Sequence, residues 1–461
     1  MTPIAEFPRM NFGLAGHGEL VEWQTHYRLD GEQIASGLAA HVDPIYADLL
    51  DVAVAVYVAD RICPRRPKGK RDNGSFWRRR LALKLAVRQP AVWNEPETRA
   101  LLHRLLEWLT DDHWEIEFGA PAQPPAEAPG RLFDERPAQP TQVMLFSGGL
   151  DSLLGAVADA SEPDGELILV AAGTQTTMRG RQHELASALG DQLPRRVRLI
   201  VVPVGLTAAG RGLLADARGE KSQRTRGFVF LSLGAAVACA AGHDELRVHE
   251  NGPGALNLPL TPGQQGSMNT RAARPETLSM MQELISRLRG VPFQIINPAF
   301  WLTKAQMCER SPATTASLLA RSVSCDSGFT RRIPGARLCG TCTSCLLRRQ
   351  ALLAGGLPQL DLADLEQMPG DGLAASRTHA NPMVLAMLQQ AAGIDRATSS
   401  PDPWSALVER FPELPSARRA LGAPAEDLVE LLGRYAEDWR SLPQPLVTDF
   451  LPPHDHVSDA Q

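Results

Sequence analysis

Two stretches of this sequence hold residues whose types and spacing could do chemistry. The first is Ser147-Gly148-Gly149-Leu150-Asp151-Ser152. Consecutive glycines let a backbone turn tightly and approach a ligand without obstruction from Cβ atoms. Where such a turn opens a helix, exposed N–H groups and the helix dipole favour an anion such as phosphate. Ser147 and Ser152 add hydroxyl donors. Asp151 is the odd member, because a carboxylate repels phosphate unless it meets a magnesium ion that bridges phosphate oxygens. No GxxxxGK[ST] stretch is present, which excludes a Walker-type NTPase.

The second stretch is a set of cysteines. Cys325, Cys339, Cys342 and Cys345 are spaced C-x13-C-x2-C-x2-C, four of the seven cysteines in the chain. Two consecutive CxxC steps gather three thiolates around a turn, and the fourth can close a tetrahedron around Zn2+. Such a closed site would be structural, since no position is left for water. An iron–sulfur cluster and a redox CxxC pair are the competing readings. Cys63, Cys239 and Cys308 read as small buried hydrophobes.

The elements that must carry these residues are legible around them. Apolar runs at Gln142–Phe146, Glu166–Ala172, Val197–Val204 and Glu245–His249 read as strands. Helical stretches at Leu150–Ala160, Gly180–Leu189, Gly227–Ala241 and Glu276–Arg289 alternate with them. That alternation predicts an α/β fold with a doubly wound parallel sheet. The expected layout is an N-terminal mixed accessory domain over 1–120, a Pro/Ala-rich linker over 121–140, a catalytic domain over 141–350, and a helical region with a tail over 351–461. Leu49–Asp60 can be helix or strand. Leu101, Leu102, Leu105, Leu106 and Leu109 predict an amphipathic helix over about 97–110. Trp93, Trp108 and Trp114 read as core or staple aromatics.

Composition is that of a globular chain, 44% hydrophobic and 21% charged over 461 residues, with a net charge of -5. Nothing global points to a nucleic-acid or membrane partner, and the start of the sequence has no apolar signal-like run, so the expected compartment is the cytoplasm. The basic run Arg65, Arg66, Lys68, Lys70, Arg71 and Arg78–Arg80 reads as a solvated loop.

SGGLDS resembles the pyrophosphate-binding (PP) loop of the ATP-pyrophosphatase family. There the β and γ phosphates of ATP leave together and an oxygen nucleophile acquires AMP. A PP-loop followed downstream by Ser-Cys…Cys-Gly-Thr-Cys-Thr-Ser-Cys-Leu-Leu-Arg resembles, more narrowly, the 7-cyano-7-deazaguanine synthase (QueC) family, in which the cysteines bind zinc. Arg226-Gly227-Phe228-Val229-Phe230-Leu231-Ser232 and Leu302-Thr303-Lys304-Ala305 are similar to that family's segments too. The resemblance covers residues 141–350. Departures from it are Gly180-Arg181-Gln182-His183, where the family carries GQRH, and the text after the fourth strand. That text, Glu250-Asn251-Gly252 through Asn257 and then Gly266-Ser267-Met268-Asn269-Thr270-Arg271, looks more like enlarged QueC-like proteins of anti-phage defence systems of the Qat type.

The resemblance implies ATP, Mg2+ and Zn2+. It implies that Ser147, Gly148, Gly149, Leu150, Asp151 and Ser152 bind the pyrophosphate end, and that Arg226, Lys304 and Asp151 serve catalysis. The implied reaction adenylates a 7-carboxy-7-deazaguanine-type carboxylate and passes it to an amine. That amine could be a partner protein's N-terminus, or ammonia on the way to a nitrile. A PP-loop enzyme acting on tRNA and a non-catalytic nucleotide-binding scaffold are the rivals.

The expected substrate residues are Glu250, Asn251 and Arg271. A guanine-like edge needs an acceptor such as Glu250 at the C-terminal end of a strand, though Glu250 can equally be a surface carboxylate. Asn251 and Asn257 can be turn residues. Arg271 and Arg274 can meet phosphate or simply form surface ion pairs. His183 reads as a structural histidine.

Overall fold

In the computed structural model the described residues are 5–13, 19–22, 25–29, 32–38, 42–65, 78–121, 141–173, 176–211, 220, 222–261, 270–325, 338, 342–361 and 382–442. Most of the linker, the tail, Cys339, Gly266–Asn269, and Arg66, Lys68, Lys70 and Arg71 lie outside them.

The chain begins with four short strands, β1 (Ala5–Glu6), β2 (Met10–Phe12), β3 (Glu19–Leu20) and β4 (Tyr27–Leu29), then α1 (Glu32–Leu38) and α2 (Pro44–Ile62). Helix α2 settles the ambiguous apolar run. It is buried nearly all round, so its sequence has no polar face for periodicity to reveal. Next come β5 (Arg79–Ala86), α3 (Pro90–Asn94), α4 (Pro96–Thr110) and β6 (His113–Gly119). Helix α4 buries Leu102, Leu105, Leu106 and Leu109 and stops at Asp111, whose φ is 59°. Strands β1, β2, β3, β5 and β6 form one parallel sheet, in which β5 pairs with β1, β2 and β6.

The second half of the alternation follows: β7 (Thr141–Leu145), α5 (Leu150–Ala160), β8 (Glu166–Ala172), α6 (Thr176–Gln192), β9 (Arg196–Val202), β10 (Val204–Leu206), α7 (Ala208–Arg211), α8 (Arg226–Ala240) and β11 (Glu245–Arg247). Helix α9 (Gly252–Leu256), α10 (Pro275–Arg289) and β12 (Gln294–Ile296) complete it. The protein is thus mixed α/β, with a five-stranded parallel sheet ordered β12-β11-β7-β8-β9. The four expected strands are present; β12 went unread, a Gln-Ile-Ile stretch closely flanked by Pro292 and Pro298, which read as turn signals. Strand order reverses beside β7, where open α/β sheets place ligands. The two strands flanking that point, β7 and β11, run on into the segments carrying Asp151 and Glu250.

The remaining elements are helical: α11 (Lys304–Glu309), α12 (Ala316–Arg321), α13 (Thr343–Ala354), α14 (Pro382–Thr398), α15 (Pro403–Arg410), α16 (Leu414–Leu421) and α17 (Ala425–Asp438). By backbone proximity the chain forms two compact units. One comprises Met1–Ser147, Ala160–Val248 and Thr270–Asn297; the other comprises Gly148–Asp159, His249–Asn269 and Pro298–Gln461. The first holds a single apolar core in which Leu49, Trp93, Trp114, Val143, Ile168, Phe228 and Met281 join. Helix α8 lies close on its strands, because a Cβ at Gly234 would stand 2.7 Å from Leu246.

Two residues of the basic run are not solvated. Arg79 is fully buried, between Asp60 at 2.5 Å and Asp112 at 2.6 Å, and Arg65 pairs with Asp112 at 2.7 Å. The carboxylates came from distant stretches of sequence, so a local charge count could not foresee them. No described helix is long and apolar enough to cross a membrane.

Candidate active site

In the second unit, three segments bring four of the expected residues together, Asp151, Glu250, Asn251 and Lys304. Gly148, at φ 79°, makes the left-handed turn that only glycine adopts without strain. The chain then enters α5, which places Asp151 in its first turn. Lys304 is the first residue of α11, behind a full capping box in which Thr303 and Gln306 bond each other's backbone N–H at 3.2 and 3.0 Å. The Lys304 ammonium meets Asp151 Oδ2 at 2.7 Å.

Asn251 closes the group. Its Nδ2 donates to Asp151 Oδ1 at 2.9 Å and to Glu250 Oε1 at 3.3 Å, while its Oδ1 accepts from Gly254 N at 3.0 Å as the N-cap of α9. It is therefore a turn residue and a member of the cluster at once. Asn257, at φ 45°, ends α9 and is the turn residue it was expected to be. Gly252 holds this segment against the one before Lys304: its N–H bonds Leu302 O at 3.0 Å, and a Cβ there would fall 2.0 Å from Phe300 O.

Among the described residues two acidic groups face one ammonium. Burial, reinforced by Asp151, pushes Glu250 up to about 8 against the pull of Lys304. Burial works to lower the Lys304 pKa, but Asp151 and Glu250 outweigh it and hold it above the usual lysine value. Two adjacent acidic side chains offering oxygen donors are a set that suits magnesium. Cys308, a turn further along α11, has its thiol pushed up to about 12 by burial and by Asp151, so it stays an inert hydrophobe.

Helix α17 backs the cluster. Arg434 donates to Trp301 O at 3.0 Å, Leu431 lies against Gly252, and Asp438 stands beside Thr303 and Gln350. Burial pushes Asp438 up to about 6. The C-terminal helical region thus enters the site, which no local motif in its sequence announces.

The other two expected catalytic and substrate residues, Arg226 and Arg271, belong to the first unit. Arg226 opens α8 and lies 4.9 Å over the Phe230 ring, with its pKa lowered by burial. Thr225 before it is tied to Asp60 by its N–H at 3.2 Å and its hydroxyl at 3.0 Å. Arg271 donates to Trp108 O and to Asp111 Oδ1 at 3.1 Å, and stacks 4.6 Å over the Trp108 ring. Trp108 is therefore a platform for an arginine, whereas Trp93 and Trp114 are fully buried core. His183 is exposed on α6 rather than structural; its neighbour Gln182 is the buried residue, and donates to Ser147 O at 3.3 Å. The GRQH text marked the right turn of helix but drew attention to the wrong side chain.

Three thiols of the cysteine set meet. The Sγ atoms of Cys325, Cys342 and Cys345 lie within 4.8 Å of one another. Thiolates around zinc stand about 3.8 Å apart, from a Zn–S bond of about 2.3 Å, so this cluster could hold a metal. Cys339 lies outside the described residues.

Comparison with known proteins agrees in one stretch. A family model described as QueC, queuosine biosynthesis protein QueC, matches residues 271–356. The matched span includes Arg271, Lys304 and the cysteines Cys325, Cys339, Cys342 and Cys345, and leaves out Ser147–Ser152, Arg226, Glu250 and Asn251. No curated protein matches the chain significantly. Over residues 271–356, then, the chain is similar to the QueC family of queuosine biosynthesis proteins.

Proposed function

We propose that the protein activates a carboxylate of the 7-carboxy-7-deazaguanine type with ATP and transfers it to an amine. The observation that carries this reading is the 2.7 Å pairing of Lys304 with Asp151. Lys304 comes from the stretch similar to QueC and Asp151 from the SGGLDS loop outside it, so two independently recognised segments converge on one point.

In this reading the fold is of the PP-loop type over residues 141–350, with 1–120 and 351–461 as accessory regions. Ser147, Gly148, Gly149, Leu150 and Ser152 hold the β and γ phosphates through backbone N–H groups and hydroxyls. Magnesium, when bound at Asp151, supplies the charge that phosphates and carboxylates share. The substrate carboxylate oxygen attacks the α-phosphorus, and the bond to pyrophosphate breaks. Lys304 and Arg226 stabilise the charge that develops, which is positioning and electrostatics rather than covalent work by the protein. The amine then attacks the acyl carbon and AMP leaves, giving an amide. Glu250, Asn251 and Arg271 face the deazaguanine. Zinc on Cys325, Cys339, Cys342 and Cys345 is structural. A partner protein's N-terminal amine is the proposed acceptor, in an anti-phage setting in the cytoplasm; ammonia, with a second ATP converting the amide to a nitrile, is the alternative.

The test is incubation with ATP, magnesium and 7-carboxy-7-deazaguanine, following AMP and pyrophosphate with and without an amine. Substrate-dependent pyrophosphate release is expected, and the product mass separates nitrile, amide and protein conjugate. No release with any candidate acceptor overturns the assignment.

A further inference from the structure

The segment that leads into the cysteine cluster also touches the glycine-rich loop. Val323 N donates to Gly148 O at 3.3 Å, and the Ser324 hydroxyl accepts from Leu150 N at 3.0 Å. Leu150 N is one of the first amides of α5, which no helical carbonyl can satisfy. The very next residue, Cys325, is one of the three clustered thiols and is almost wholly buried.

The same segment is fixed from behind by α13, which carries Cys345. Arg348, three residues on and fully buried, donates to Ser322 Oγ at 2.6 Å and to Leu319 O at 2.9 Å. Ser322 in turn donates to Leu319 O at 2.7 Å. Residues 322–325 are thereby held at both ends, by Arg348 at Ser322 and by the thiols at Cys325, and the two residues between are bonded to both sides of the turn at Gly148–Leu150. No other described contact gives Ser324 a partner for its own hydroxyl hydrogen.

We infer that the cysteine cluster, when it holds its metal, acts as a clamp on the phosphate loop, with Ser324 as the positioning residue. By accepting from Leu150 N, Ser324 orients the first turn of α5, and its hydroxyl hydrogen is left to donate to a phosphate oxygen. The metal's part is remote: fixing Cys325 fixes the position of Ser324. This rests on the reading that Ser147–Ser152 hold the phosphates of ATP, but the clamp itself is a property of the loop and can be measured without nucleotide.

The experiment uses the full-length, metal-loaded protein, its Ser324→Ala and Ser324→Thr variants, and the wild type after removal of metal by a chelator. Three quantities are read: metal content, hydrogen exchange at the Leu150 amide, and binding of magnesium-ATP by calorimetry. Ser324→Ala should keep its metal, exchange Leu150 roughly five- to tenfold faster, and bind magnesium-ATP weaker by a similar factor, as loss of one hydrogen bond implies. Ser324→Thr, which keeps the hydroxyl, should restore both. Metal removal should speed exchange at Leu150 more than at amides of α14 and α17, which serve as the control for general opening. Unchanged exchange at Leu150, either in Ser324→Ala or after metal removal, overturns the clamp. If the wild type binds no magnesium-ATP, the phosphate reading falls while the exchange data still decide the clamp.

Discussion

Each unit of this molecule has a cluster of charges, and the two are built on opposite principles. Around Arg79 the charges are satisfied. Asp60 and Asp112 flank it, Arg65 grips Asp112 at 2.7 Å, and Thr225 donates twice to Asp60. Burial alone would raise the Asp60 pKa, but Arg79 overrides it and holds the carboxyl below its ordinary value. Around Lys304, among the described residues, one ammonium serves Asp151 and Glu250, and burial with Asp151 pushes Glu250 up to about 8, so that it holds its proton at neutral pH. A fully paired network stabilises a fold. A cluster that keeps one acid protonated beside an ion pair is a perturbed one, and perturbed groups gather at functional sites.

The comparison can be broken most forcefully at its paired end. Arg79→Met should cost about 3–5 kcal/mol, because it strips buried Asp60 of its ion-pair partner and leaves Asp112 with Arg65 alone; chemical denaturation measures this. At the other end, Lys304→Ala should lower substrate-dependent pyrophosphate release by about 10²–10³, while costing less stability than Arg79→Met. Equal stability losses in the two variants would erase the distinction.

A smaller effect sharpens the contrast through pH. The Asp438 carboxyl, raised from 3.8 to about 6, prefers its protonated form in the folded protein. Its contribution is full below pH 3.8 and lost as pH rises through about 6. Asp60, with a lowered pKa, has the reverse sign: its contribution is present above the ordinary carboxylate value and lost as pH falls. Asp438→Asn should remove on the order of 2 kcal/mol of pH dependence across that window, read as the wild-type minus variant difference in unfolding free energy. The smallest expected effect is at Arg271. Its stacking on Trp108 is worth about 1 kcal/mol, so Arg271→Ala should cost that much stability. Unchanged stability with a raised KM for the carboxylate would instead assign Arg271 to substrate.

Much of the site could be read before any fold was known, for reasons particular to each segment. SGGLDS is legible because a tight turn needs glycine and the turn is continuous in sequence. The Thr303–Gln306 capping box was equally legible, since its members are three residues apart, and it would have fixed Lys304 at the first turn of a helix. Gln182, Ser324 and Asp438 were not legible. Each acts on a partner far along the chain, Ser147, Leu150 and Thr303 respectively, and a lone polar residue carries no sign of a distant partner.

Sequence by itself determined the strand–helix alternation, the glycine turn at Gly148 and the cysteine spacing, because backbone preference, hydrophobic period and motif spacing are local quantities. Tertiary structure alone decided which charges are neutralised. It buried Arg79 between two aspartates and left Glu250 with a shared lysine. It also set α17 behind the Lys304 segment and Ser324 on the loop. The physical reason is that charge compensation and burial depend on distance in space, and segments far apart in the chain meet only when the fold brings them together.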